Sequence, residues 1–177
     1  MLPPLLFRRI YSGSLRRRLE FSRSLHAVLG PQLIPDKFFT QTFDDLRQAA
    51  DKLAGYMATL GMGRRCAACS ADNPGGCCSL EMAEETDAIQ ILLNLHAGVE
   101  VEIADNGPAC CFLGKKGCIF IFKPMFCLNY NCDRIISEVG LSRGELEVLT
   151  GRLLCKQYEV EKILLERIKN LPGLAAG

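Results

Sequence analysis

The sequence predicts an α+β fold that is mainly helical, with helices at both ends bracketing a small cysteine-rich centre that contains a β-hairpin. Three observations carry this. Apolar residues recur at alternating spacings of three and four over 42–60 and again through 142–170, the period of one helix face. The run 110–122 is apolar on both sides of Gly114, Lys115, Lys116 and Gly117, the pattern of two strands around a tight turn. Nine of the ten cysteines fall between Cys66 and Cys132.

Taken in order, residues 1–35 form a basic N-terminal helical arm. They hold Arg8, Arg9, Arg16, Arg17, Arg18 and Arg23 against Glu20, a local net charge of +5 in a chain whose total is +1, so the remainder stands at −4. Within the arm, 14–29 has helical composition, with Leu15, Leu19, Ser22, Leu25 and Leu29 near one face and Gly30 and Pro31 as the stop. The apolar start is short, contains two prolines and is followed by arginines, the wrong order for a secretory leader. No uninterrupted apolar stretch of about eighteen residues occurs, so no membrane span is expected. A soluble protein in a reducing, cytoplasmic compartment is the expectation, and there clustered thiols are more often metal ligands or redox groups than structural disulfides.

Residues 36–172 read as a single domain. A helix over 42–60 takes Thr42 as N-cap and carries Phe43, Leu46, Ala50, Leu53, Met57 and Leu60 on one face, with Gly61 as its stop. A second helix covers 81–97, with acidic residues early and Ile89, Leu92, Leu93 and His96 on one side. Residues 99–103 alternate as a half-buried strand, 105–108 form a turn, and the hairpin follows. Pro124 ends its second strand, with a loop from there through Cys132. The terminal helix, 142–170, opens with Ser142 and Glu145 in capping-box spacing and runs to Pro172.

The thiols need a cause for their clustering. Cys66 and Cys69 are separated by two residues, a step that lets two thiolates reach one ion at Zn–S distances of about 2.3 Å. In the hairpin, Leu113 stands opposite Cys118, and strand alternation then puts Cys111, Leu113, Cys118 and Phe120 on one face. Cys111 and Cys118 become diagonal neighbours, roughly 7 to 8 Å apart at their α-carbons, within reach of one metal or cluster. Cys110 falls on the other face with Phe112 and Ile119 and reads as a small core residue. The adjacent Cys77 and Cys78 can both ligate only from a turn or helix start, which Asn73, Pro74, Gly75 and Gly76 supply. The candidate metal ligands are therefore Cys66, Cys69, Cys77, Cys78, Cys111, Cys118, Cys127 and Cys132, with the centre at 66–132 and Cys155 read as a packed thiol outside it.

The order Cys66, Cys69, Cys77, Cys78, then Cys111 and Leu113, then Cys118, Phe120 or Phe122, Lys123, Pro124 and Cys127, resembles the YkgJ-type cysteine-cluster proteins, also described as the CxxCxxCC zinc- or iron-chelating domain. The resemblance covers about 67 residues. It implies a thiolate-bound zinc ion or iron-sulfur cluster. Cys132 lies where some members have a further cysteine. Three departures stand out: a longer gap between Cys69 and Cys77, Lys123 where the family has an arginine, and Leu128 where it has another. Thiolates suit both metals, and the adjacent pair favours a 4Fe-4S cluster over zinc.

The expected function is that of a metal-binding cysteine-cluster protein without catalysis; the alternative is a redox or methyl-transfer-associated enzyme using an iron-sulfur cluster, since some flagellin lysine methylases contain a similar cysteine domain. Little in the chain supports catalysis. Gly61 and Gly63 follow a helix rather than a strand, unlike a dinucleotide loop, and His26 and His96, the only histidines, sit on predicted helices. The flanking helices are candidate surfaces for a protein partner, and the segment Arg8 to Arg23 for a membrane surface or RNA.

Overall fold

The computed structural model describes residues 2–63, 65, 68, 78–115, 117–129, 137 and 143–172. Their elements are α1 (Pro4–Tyr11), α2 (Leu15–Leu33), α3 (Lys37–Thr59), α4 (Leu80–Glu84), α5 (Ala88–His96), β1 (Leu113–Gly114), β2 (Gly117–Cys118), α6 (Met125–Asn129) and α7 (Arg143–Lys169). The fold is mainly helical α+β, as predicted. Helix α3 lies along α7, and α2 along α5. Their apolar stripes meet in one core that includes Leu25 and Leu29, Phe39 and Leu46, Leu92 and Leu93, and Leu153 and Leu164. A smaller cluster joins Leu15 and Leu19 to Ala83, Ile91, Val101, Cys111, Phe112 and Phe120. Among the described residues no helix is long and apolar enough to cross a membrane.

The N-terminal 35 residues are built into this core. Helix α1, which the sequence reading lacks, starts with Pro4 in its first turn, where the missing N–H costs nothing, and buries Leu6 and Ile10 one turn apart. Helix α2 feeds both clusters. Two of its arginines bond to the following helical and extended segments, Arg18 buried and Arg23 exposed. Arg18 is 5% exposed and its guanidinium donates to the carboxylate of Glu84 at 3.1 Å and to the Glu84 carbonyl, while Arg23 donates to the Val101 carbonyl at 2.9 Å.

Several predicted boundaries move, each for a packing reason. Helix α2 continues through Gly30 and Pro31 to Leu33, because Leu33 extends the buried stripe of Leu25 and Leu29 while Pro31 faces outward. Helix α3 begins at Lys37 rather than Thr42: the Asp36 carboxylate accepts from the Phe38 and Phe39 amides at 3.0 and 3.1 Å, and Phe39 adds a fully buried anchor. Thr42 instead lies inside the helix and donates back to the Phe38 carbonyl. The single helix predicted over 81–97 is two. Ser79 caps α4, and the extended backbone of Asp87 interrupts the chain so that its carboxylate accepts from the Gln90 amide at 2.8 Å and caps α5.

Residues 99–103 keep the predicted alternation, with Val101 buried between exposed Glu100 and Glu102, but they join no ladder. The loop predicted after Pro124 contains α6 instead, the Leu128 amide donating to the Pro124 carbonyl. Helix α7 runs as predicted over its described length, and Ser142 lies outside the described residues.

A buried polar clamp holds the hairpin's exit against the helices. Asn94 on α5 accepts through Oδ1 from the Ile121 and Phe122 amides at 2.9 and 3.1 Å and donates through Nδ2 to the Phe122 carbonyl at 2.8 Å. One turn earlier, Gln90 donates to the same carbonyl at 2.6 Å and accepts from Gln157 of α7 at 2.7 Å. Gln90 and Asn94 are four residues apart and so share a face. They are the polar interruptions in an otherwise apolar helix, and that is the signal by which the sequence could have shown them.

Candidate functional site

The thiol-bearing segments are brought together by short backbone links. Ser79 and Ala109 form an antiparallel bridge, flanked by Leu80 N–H to the Pro108 carbonyl at 2.9 Å and Cys110 N–H to the Cys78 carbonyl at 2.7 Å. Cys78 and Cys110 are thereby stitched side by side. The hairpin has the predicted register, Leu113 opposite Cys118. Its turn residue Gly117 has φ +112°, and a Cβ there would come 3.2 Å from the α-carbon of Gly63, so the hairpin seats directly on the chain that follows α3. Helix α6 then carries Cys127 back toward it.

These segments enclose a cavity of about 90 Å³. Cys78, Cys110, Cys118 and Cys127 line it, together with the thioethers of Met57, Met62 and Met82 and the rings of Phe112 and Phe120. Lys123 is the one charged side chain among its described lining residues. Leu128 behaves differently and packs into the main core at 7% exposure.

The surroundings of Cys111 and Cys110 differ from those the hairpin alternation predicts. Cys111 is 3% exposed and packs in the smaller apolar cluster, whereas Cys110 faces the cavity with Cys118. The reason lies in the hydrogen bonds. Strand geometry covers only 113–114 and 117–118; before it, the Leu113 amide donates to the Cys110 carbonyl at 3.0 Å, and the Asn106 side chain donates to the carbonyls of both Cys110 and Leu113. The pairing reaches one step further, the Ile119 amide donating to the Phe112 carbonyl at 2.9 Å, and the turn at 110–113 then breaks the two-residue alternation that a strand would carry back to Cys111 and Cys110.

The remaining candidates divide. Cys66, Cys69, Cys77 and Cys132 lie outside the described residues. Cys155 is exposed on α7 rather than packed, because the buried stripe of Leu146, Leu153, Val160 and Leu164 occupies another face. Among the described residues, no group of three or more His, Cys, Asp or Glu side chains is arranged to hold a metal ion. The histidines serve packing: the ring of His96 meets those of Phe39, Phe43 and His26 edge-on at 5.2, 4.8 and 6.0 Å, and burial lowers its pKa, with His26 adding to the shift.

No family model, curated protein or solved structure matches the chain. The chemistry of the site therefore rests on its own residues. Burial raises the Cys110 thiol above its ordinary pKa, opposed in part by the Phe112 amide, which donates to its sulfur at 3.4 Å. Burial pushes Cys111 up to about 12, with Cys110 and Glu84 adding to the shift. Both shifts favour the neutral thiol.

A second titratable group lies away from the thiols. Burial, and then the charge of Asp87, pushes Glu161 on α7 up to about 7, although Gln157 donates to it at 3.4 Å. Burial likewise raises Asp87, and it raises Tyr11 of α1, to which the charges of Asp87 and then Glu161 add a smaller upward shift. A carboxyl whose pKa is higher in the folded than in the unfolded chain binds more protons when folded, so its contribution to stability falls as pH rises from about 4.5 to about 7 and is constant above. Glu161→Gln is expected to flatten that slope and to exceed the parent by on the order of 1–3 kcal/mol at pH 8, while nearly matching it at pH 4. Urea unfolding across this range is the check; an unchanged slope in the variant would remove Glu161 as its source.

Proposed function

We propose that the chain is a metal-binding protein whose centre is built on the cavity lined by Cys78, Cys110, Cys118 and Cys127. Convergence of four thiols from separate segments on one apolar cavity is the observation that carries this reading. The donor chemistry fits: thiolate sulfur is the common ligand of zinc and of iron-sulfur clusters, and no carboxylate or imidazole competes among the described lining residues. In the sequence, Cys77 directly precedes Cys78, and Cys66 and Cys69 follow the cavity-lining Gly63 by three and six residues. Together with Cys132 they supply further ligands. The cysteine order similar to YkgJ-type proteins points to the same chemistry, a 4Fe-4S cluster or zinc.

In this reading the protein's own part is to bring the thiols together, to release their protons on binding, and to keep Lys123 in the wall of the same cavity. Metal uptake releases protons and strengthens as pH rises toward the thiol pKa values. Because the ligands come from segments far apart in the chain, binding also contributes to folding free energy.

Anaerobic purification followed by metal analysis, sulfide assay and visible absorption tests the proposal. Iron with acid-labile sulfide and a brown colour identifies a cluster, stoichiometric zinc identifies the other metal, and the absence of both rejects a metal centre.

A further inference from the structure

We propose that the corner between α1 and α2 is a binding site for a phosphate-class oxyanion, independent of the thiol cavity. A cavity of about 560 Å³ opens there, lined by Arg8 and Arg9 from the last turn of α1, Ser12 from the connecting turn, and Arg17, Glu20 and Phe21 from α2. Three arginines and one acid line it. Arg9 is held in place with its guanidinium 4.1 Å above the centre of the Phe21 ring, and among the described residues neither Arg8 nor Arg17 forms an ion pair.

Arg8 and Arg9 lie in the last turn of α1, where a helix end favours cations, but Arg17 stands at the opposite kind of end. Arg16, Arg17 and Arg18 occupy the first turn of α2, which contains no acidic residue, although a helix N-terminus carries partial positive charge and favours anions. Arg18 is neutralised by Glu84, which explains one of the three. Arg17, at the start of α2, shares the cavity wall with Arg8 and Arg9, so three cations line one space beside the single acid Glu20. A phosphate group answers them in charge, and its oxygens accept paired N–H donors from arginine. The Ser12 hydroxyl adds a further donor.

Titrating the full chain with inorganic phosphate at constant ionic strength, followed by NMR of the arginine side chains or by calorimetry, tests the site. The double substitution Arg8→Ala and Arg17→Ala is expected to weaken binding roughly tenfold or more, since two charge-assisted contacts are lost. Both side chains are exposed, so the thermal midpoint should hold. Glu20→Gln should tighten binding instead. Parallel co-sedimentation with phosphatidylcholine vesicles containing about 5% phosphatidylinositol 4-phosphate, against vesicles matched in charge with phosphatidylserine, separates the sources of the group. Binding of free phosphate that the double variant loses supports a soluble phosphorylated ligand. Variant-sensitive binding of the phosphoinositide vesicles alone supports a lipid headgroup. Equal binding to both vesicle sets, phosphate affinity insensitive to the substitutions, or no binding to any probe overturns the proposal.

Discussion

Asn94→Ala is expected to lower folding stability by about 3–5 kcal/mol, a large part of the roughly 5–15 kcal/mol typical of a domain. Asn94 is 0% exposed, and its Oδ1 is the acceptor for the amides of both Ile121 and Phe122. Removing it strands one buried and one partly buried donor, each costing up to about 1–3 kcal/mol, and leaves a small void beside Phe122, itself fully buried and edge-on to Phe43 at 5.4 Å. Chemical denaturation with an unchanged slope and a lowered midpoint would show the effect; a loss below about 1 kcal/mol would mean that water takes over the amide's role. The clamp sits between Cys118 and Cys127 in the chain, so the variant should also make both thiols react faster with a thiol reagent.

The second large effect distinguishes Cys110 from Cys111. With the metal centre on the cavity, Cys110→Ser, Cys118→Ser and Cys127→Ser are each expected to remove most of the bound metal, because serine is a poor substitute for a thiolate donor. Cys111→Ser should retain the metal and instead cost about 1–3 kcal/mol, for it places a hydroxyl among Leu19, Ile91 and Phe120. Metal content by elemental analysis, paired with the unfolding midpoint, separates the two behaviours. Metal lost from the Cys111 variant and kept by the Cys110 variant would show that the ligands follow hairpin alternation and would overturn the cavity assignment.

Much of the architecture was legible from local patterns. The faces of α3 and α7 follow from three-and-four spacing, since a helix that buries one stripe must repeat its apolar residues with that period. The pairing of Leu113 with Cys118 follows from the turn length, whichever way the loop is counted. The crowding of thiols between Cys66 and Cys132 is a fact of composition, and four of them do converge.

Contacts across long sequence separations decided the rest, and local rules carry no information about them. Pro31 reads as a stop, yet Leu33 had a core to enter, so α2 went on. The basic start reads as a solvated arm, yet Leu6, Ile10 and Leu19 found apolar partners, and Arg18 found Glu84 sixty-six residues away. Which of two adjacent cysteines turns toward the cavity depends on Asn106 bonding the Cys110 and Leu113 carbonyls and on Cys78 accepting from the Cys110 amide. Periodicity could place a thiol on a strand, but the local Asn106 turn together with the distant link from Cys110 to Cys78 set which way Cys110 faces.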